Sequence, residues 1–270
     1  MTSLKEVFSN PNPKSKFITY MSLGDPSFDL SLEWAKTIID SGSDILELGI
    51  PFSDPVADGG VIQKSYKRAL ENPFSMEKVF GVVKKIQEHR KGFPIVFLTY
   101  LNPIHAYGAE KFFKKCKSEG VLGVVIPDLP YDSMDSKVYF SLGKKYGIDI
   151  IQLITPSTSL ARIREIKKNS SGFIYYVTSF GVTGERTSIS KNLKARVLLL
   201  KKEIGLPICS GFGISTKEQA GEISEYSDGV IIGSAIQRII EENSANMEEC
   251  KRKLNAYISM IRNSMKVEIF

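Results

Sequence analysis

The sequence predicts an α/β fold, a (β/α)8 barrel formed as a single domain over residues 1–270, with short N-terminal and C-terminal helices. Three observations predict it. Eight short runs rich in β-branched residues recur along the chain, longer amphipathic stretches separate them, and eight such units in about 250 residues have the size and rhythm of a barrel. An open doubly wound sheet of eight strands is the structural alternative.

Taken in order, the first strand run is KFITYMSL (16–23), followed by the helical pattern LSLEWAKTIIDSG (30–42), which closes on Gly42. DILELGI (44–50) gives the second strand and SMEKVFGVVKKIQEHR (75–90) a helix before the third, IVFLTY (95–100). AEKFFKKCKSEG (109–120) has helical periodicity and ends on Gly120, the position that a left-handed helix stop favours. The remaining strands are GVVIP (123–127), DIIQLI (149–154), FIYYVT (173–178), PICSG (207–211) and GVIIG (229–233), with the helix KEQAGEISEYS (217–227) before the last. Beyond this βα rhythm there is no internal repeat, and no linker splits the chain.

Composition excludes several classes. With 42% hydrophobic and 24% charged residues the chain reads as an ordinary globular domain with an extensive core. The net charge of +6 comes from small lysine groups such as KFFKKCK (111–117) and CKRK (250–253), spaced as on solvated helix faces. No nucleic-acid motif accompanies them, so no nucleic acid is expected as a partner. Cys116, Cys209 and Cys250 are scattered and lack metal-ligand spacing, which points to free thiols in a reducing compartment. The start has no apolar signal region, and no stretch approaches the roughly 18 apolar residues of a membrane span, so a cytoplasmic protein is expected. His89, on a helix end, and His105, on a loop, lie far from metal-ligand spacing; no metal is expected and neither histidine receives a role.

Chemistry-bearing residues sort by strand, because the strand C-termini form the active face of such a barrel. In the second strand, period-2 alternation puts Ile45 and Glu47 on one face and Leu46 and Leu48 on the other. The leucines belong against the helices, so Glu47 points into the barrel mouth. Burial there raises a carboxyl's pKa, which suits proton exchange near neutrality; a glutamate satisfied by tyrosines or backbone is the plainer alternative. In the following loop, PFSDPVADGG, Asp54 before Pro55 reads as a turn former, while Asp58 before Gly59 and Gly60 is either a turn residue or a second catalytic carboxylate. GVTG (181–184), SGFGIS (210–215) and GSAI (233–236) follow the last three strands. Such turns offer backbone N–H groups to a phosphate, aided by a short helix starting near Ser234, or are simply tight turns. Tyr20, Leu98 and Tyr100 alternate toward the same mouth and suit either core packing or the clamping of a flat ring.

LELGIPFSDPVADGGVIQ (46–63), LGDP (23–26), PDLP (127–130), GVTGER (181–186) and SGFGIS (210–215) closely resemble the tryptophan synthase alpha subunit, in an order and over a length that cover essentially the whole chain. The resemblance implies cleavage of indole-3-glycerol phosphate to indole and glyceraldehyde 3-phosphate, without cofactor. It also implies a beta subunit that consumes the indole, in an alpha2beta2 heterotetramer. Position by position, it puts the catalytic carboxyls at Glu47 and Asp58 and the indole pocket at Tyr20, Leu98, Tyr100, Val125 and Pro127. It adds Tyr175 to the substrate site, phosphate ligands at Gly184, Gly213, Gly233 and Ser234, and the threonine of a mobile lid at Thr183. Communication with the partner is implied at PFSDP and GVTGER. Two departures stand out: Gly60 replaces the family's usual proline, which should loosen that loop, and Tyr20 stands where phenylalanine is common, putting a hydroxyl near the ring. Among rival barrel enzymes, a Schiff-base aldolase needs a lysine at a strand end, and strands 2 to 7 have none. A barrel kept only to bind a partner is disfavoured by the intact carboxyl pair.

Overall fold

The computed structural model describes residues 3–178, 186–211 and 213–265. Its centre is a closed parallel barrel of β1 (Lys16–Ser22), β2 (Ile45–Gly49), β3 (Ile95–Leu98), β4 (Val121–Val125), β5 (Asp149–Ile154), β6 (Ile174–Val177), β7 (Ile208–Gly211) and β8 (Gly229–Ile232), with β8 returning to pair with β1. Around it run α1 (Leu4–Ser9), α2 (Phe28–Asp40), α3 (Gly60–Leu70), α4 (Met76–His89), α5 (Leu101–Tyr107) and α6 (Ala109–Glu119). They are followed by α7 (Met134–Tyr146), α8 (Leu160–Lys167), α9 (Arg186–Ile204), α10 (Lys217–Ser224), α11 (Ser234–Asn243) and α12 (Met247–Ser264). Strand order follows chain order, so the barrel is closed and the open-sheet alternative falls.

Strand alternation creates two apolar cores. Leu46, Leu48, Phe97 and Val124 pack outward against the helices, whereas Ile18, Tyr20, Ile45, Val96, Leu98 and Val125 fill the barrel. Glu47 therefore faces inward, in register with Tyr20 on one side and Val96 on the other. The helices start where the sequence caps them: the Ser27 and Ser75 hydroxyls accept from the N–H groups of Leu30 and Lys78, and Gly120 ends α6 at φ 83°.

Several boundaries differ from the sequence expectation. β4 starts at Val121 and ends at Val125, which leaves Pro127 in the loop at the mouth. β3 ends at Leu98, so Tyr100 caps α5, and His105 lies within that helix instead of on a loop. Pro103 falls in the first turn of α5, where its missing N–H has no intrahelical partner to lose. The C-terminal helix is not short: α12 has 18 residues and packs against α2, α10 and α11, and Arg262 ties it to Asp44 before β2 at 2.8 Å.

The N-terminal helix α1 is six residues long and closes the far end of the barrel. Leu4 is fully buried in the interior core, and a Cβ added at Gly123 or Gly172 would lie 3.1 or 2.9 Å from its Cδ1. Phe8 stacks on Phe173 beside it, with ring centroids 5.6 Å apart. No helix among the described residues is long and apolar enough to cross a membrane.

Candidate active site

Glu47 is 0% exposed, and among the described residues neither carboxyl oxygen has a hydrogen-bond partner. No described tyrosine or backbone group satisfies it, in contrast to the plainer sequence alternative. Burial pushes its pKa up to about 8, with the negative charge of Asp58 as the second cause. At neutral pH Glu47 holds its proton.

Asp58 sits at the mouth on the loop between β2 and α3, half-buried, and accepts a 2.6 Å hydrogen bond from the Tyr100 hydroxyl. That hydroxyl also accepts from the Ala57 N–H at 3.1 Å, and the Gln63 side chain donates to the Asp58 carbonyl at 2.8 Å. The loop is thus held from the cap of α5 and from α3 together. Burial raises the Asp58 carboxyl to about 6, against the lowering effect of the Tyr100 hydrogen bond. The two carboxyls differ in acidity such that, near pH 7, one is protonated and the other ionised.

A cavity of about 190 Å³ opens beside them. Tyr20, Leu98, Pro127 and Tyr175 form its apolar wall, Asp58 stands at one edge, and Gly213, Gly233 and Ser234 form the other end. Tyr175 is seated by Gly211, where an added Cβ would lie 2.9 Å from the tyrosine oxygen. Gly213 takes φ +76°, a conformation that side chains disfavour. Ser234 opens α11, and its cap Gly233 has no side chain to bind the first N–H groups, so these stay free for an anion.

Of the residues singled out in the sequence, Tyr20, Asp58, Leu98, Pro127, Tyr175, Gly213, Gly233 and Ser234 line one cavity. Glu47, Tyr100 and Val125 do not line it. Val125 belongs to the barrel core, Tyr100 acts on Asp58, and Glu47 is sealed from the cavity within the barrel. Thr183 and Gly184 lie outside the described residues. The Tyr20 hydroxyl, expected near the substrate ring, is committed to Ser22 and Tyr66, each at 3.0 Å. Sequence reasoning missed Ile62, Leu153, Ile231, Ser215 and Arg238 in the lining. Leu153 and Ile231 sit in strand runs that were recognised; for Arg238 the available signal is its place one helical turn after Ser234.

Closed barrel and convergent site place the chain in the class of (β/α)8 enzymes that carry their chemistry at the strand C-termini. The chain belongs to the tryptophan synthase alpha chain family, whose family profile, described as "Tryptophan synthase alpha chain", matches residues 8–266. It is 53% identical over 265 residues to the alpha chain of Leptospira biflexa, covering 98% of this chain and 100% of that one. To the alpha chain of Lacticaseibacillus casei it is 43% identical, covering 98% and 97%. The crystal structure of the alpha subunit from Legionella pneumophila superposes with a TM-score of 0.89 at 32% identity, covering 98% of both chains.

Proposed function

We propose that Glu47 and Asp58 carry the reaction of this family's alpha chain, the retro-aldol cleavage of indole-3-glycerol phosphate to indole and glyceraldehyde 3-phosphate. An indole carbanion is a poor leaving group, so the ring is protonated at C3 before the C–C bond breaks. Glu47, protonated at neutral pH, supplies that proton by turning its side chain into the cavity, and then removes one from the glycerol hydroxyl as the aldehyde forms. Ionised Asp58 accepts the indole N–H and stabilises the positive charge that develops on the ring. Gly213, Gly233 and Ser234, with Gly184, hold the phosphate, and Thr183 belongs to the cover over the site. Tyr20, Leu98, Pro127 and Tyr175 shape the indole side, with Tyr100 holding Asp58 and Val125 packed in the barrel core behind them. Protons and electrons balance on the two carboxyls without a cofactor.

The observation that carries this reading is the unequal pair: an unpartnered, fully buried Glu47 beside an ionised Asp58 that Tyr100 holds at the edge of the cavity. The partner is a tryptophan synthase beta subunit, and an alpha2beta2 heterotetramer is the assembly we propose. Support for a docking face at the mouth comes from Val56, 80% exposed directly after PFSDP, and from an apolar groove of about 440 Å³ that PFSDP itself borders, bounded by Phe52, Phe74, Pro103 and Tyr107. A cytoplasmic location fits Cys116, Cys209 and Cys250, all free and buried. The test is indole release from indole-3-glycerol phosphate by the chain alone and with a beta subunit. Release in both, faster with the partner, is expected; release in neither overturns the reading.

A further inference from the structure

Beneath the cavity wall lies a chain of buried hydroxyls that the proposed reaction does not use. The Tyr66 and Tyr20 hydroxyls hydrogen-bond at 3.0 Å, Tyr20 to Ser22 at 3.0 Å, Ser22 to Ser65 at 2.6 Å, and Ser65 donates to the Ile62 carbonyl at 2.7 Å. The Tyr20 hydroxyl donates to that of Tyr66, and Ser22, Ser65 and Tyr66 are fully buried. A second branch leaves Ser22, whose backbone N–H donates to Gln237 Oε1 at 3.0 Å. Gln237 Nε2 donates to Asp25 Oδ2 at 2.5 Å, and Asp25 receives Arg68 Nε and Nη2 at 2.9 and 2.8 Å.

The elements joined in this way matter. Ile62, Ser65, Tyr66 and Arg68 lie on α3, which begins two residues after Asp58; Gln237 lies on α11, one turn after Ser234. Tyr20 is wedged between them: a Cβ at Gly49 would lie 2.2 Å from its hydroxyl oxygen, and one at Gly233 would lie 2.9 Å from its Cδ1. A polar network this enclosed has little freedom to slacken, because any broken link leaves a buried group unsatisfied.

We propose that this network is a positioning device that fixes the Asp58 loop relative to the phosphate turn, with Tyr66 and Ser65 as positioning residues for cleavage. The proposal rests on the site reading above. Fixing both ends of one substrate is an alignment effect, to which small displacements are costly. Tyr66→Phe keeps the ring and removes one link. Its kcat for indole release should fall about tenfold, within the range alignment controls, while its affinity for glycerol phosphate, which needs only the phosphate end, stays within twofold of the parent. Tyr20→Phe breaks the same link, so the double variant should lose less than the product of the two single losses. Should Tyr66→Phe fail to fold, Ser65→Ala breaks the chain at a smaller residue and is read in the same way. A kcat within twofold of the parent, fully multiplicative losses, or glycerol phosphate binding that falls along with kcat would each overturn the proposal. A parent that releases no indole would overturn the site reading instead.

Discussion

A carboxyl without a hydrogen-bond partner destabilises the barrel that holds it, and Glu47 does so in a way that depends on pH. Its pKa is about 8 when folded against 4.5 for an unperturbed glutamate, so between those pH values the folded chain keeps a proton that the unfolded chain has lost. Stability therefore falls as pH rises from about 4.5 to about 8, by up to about 1.4 kcal/mol per pH unit. Glu47→Gln lacks this dependence. Its stability advantage over the parent should widen between pH 5 and pH 8 in urea denaturation, while its turnover falls at least about 10²-fold; a constant stability gap would contradict the raised pKa. The same two carboxyls set the rate profile. Asp58 must be ionised and Glu47 protonated, so kcat/KM should rise through about pH 6 and fall through about pH 8. Asp58→Asn should abolish the lower limb and leave the upper one, as a pH–rate series would reveal. The direction of Glu47 was legible because strand alternation is local. The state of Asp58 was not, because it follows from burial at the mouth and from an opposing hydrogen bond given by Tyr100, 42 residues away in sequence.

At the scale of elements, the start of α3 is the place where this chain is looser than its fold requires. Gly60 occupies the first helical position, a Cβ there would meet nothing within 4 Å, and Gly59 before it has φ −77° and ψ 164°. That is the backbone a following proline demands, and a proline at a first helical position loses no intrahelical hydrogen bond. Gly60→Pro should stabilise the chain by about 0.4–1 kcal/mol, chiefly by restricting the unfolded state, and calorimetry should record the higher Tm. The existence and order of the strands were readable from residue type. Their ends were not: the shift of β4 to Val121–Val125 and the helix over Pro103 follow from closure of the barrel and from first-turn geometry, neither of which a local pattern encodes.

Across the whole molecule, the loops after the strands form one rim that carries both the site and the apolar groove. Ala106, exposed on α5 in that groove, stands apart from the cavity. Ala106→Glu should leave indole release by the isolated chain unchanged and weaken affinity for the beta subunit about tenfold, measured by titration of the partner-stimulated rate; unchanged affinity would move the docking face elsewhere. The shared network of Tyr20, Ser22 and Gln237 was invisible in the sequence for the same reason as the Asp58 contact, since Ser22 and Gln237 are 215 residues apart. The opposite end of the barrel bears on the partner as well. With Leu4 as a stopper and Phe8 tilted against Phe173, the far end of the vessel is plugged by the described residues, and the site cavity opens at the other end. A reactant that enters by this doorway and a product that leaves by it share one passage, so the product that leaves last delays the next arrival. A subunit seated over the doorway would intercept indole by position alone, without needing to bind it tightly.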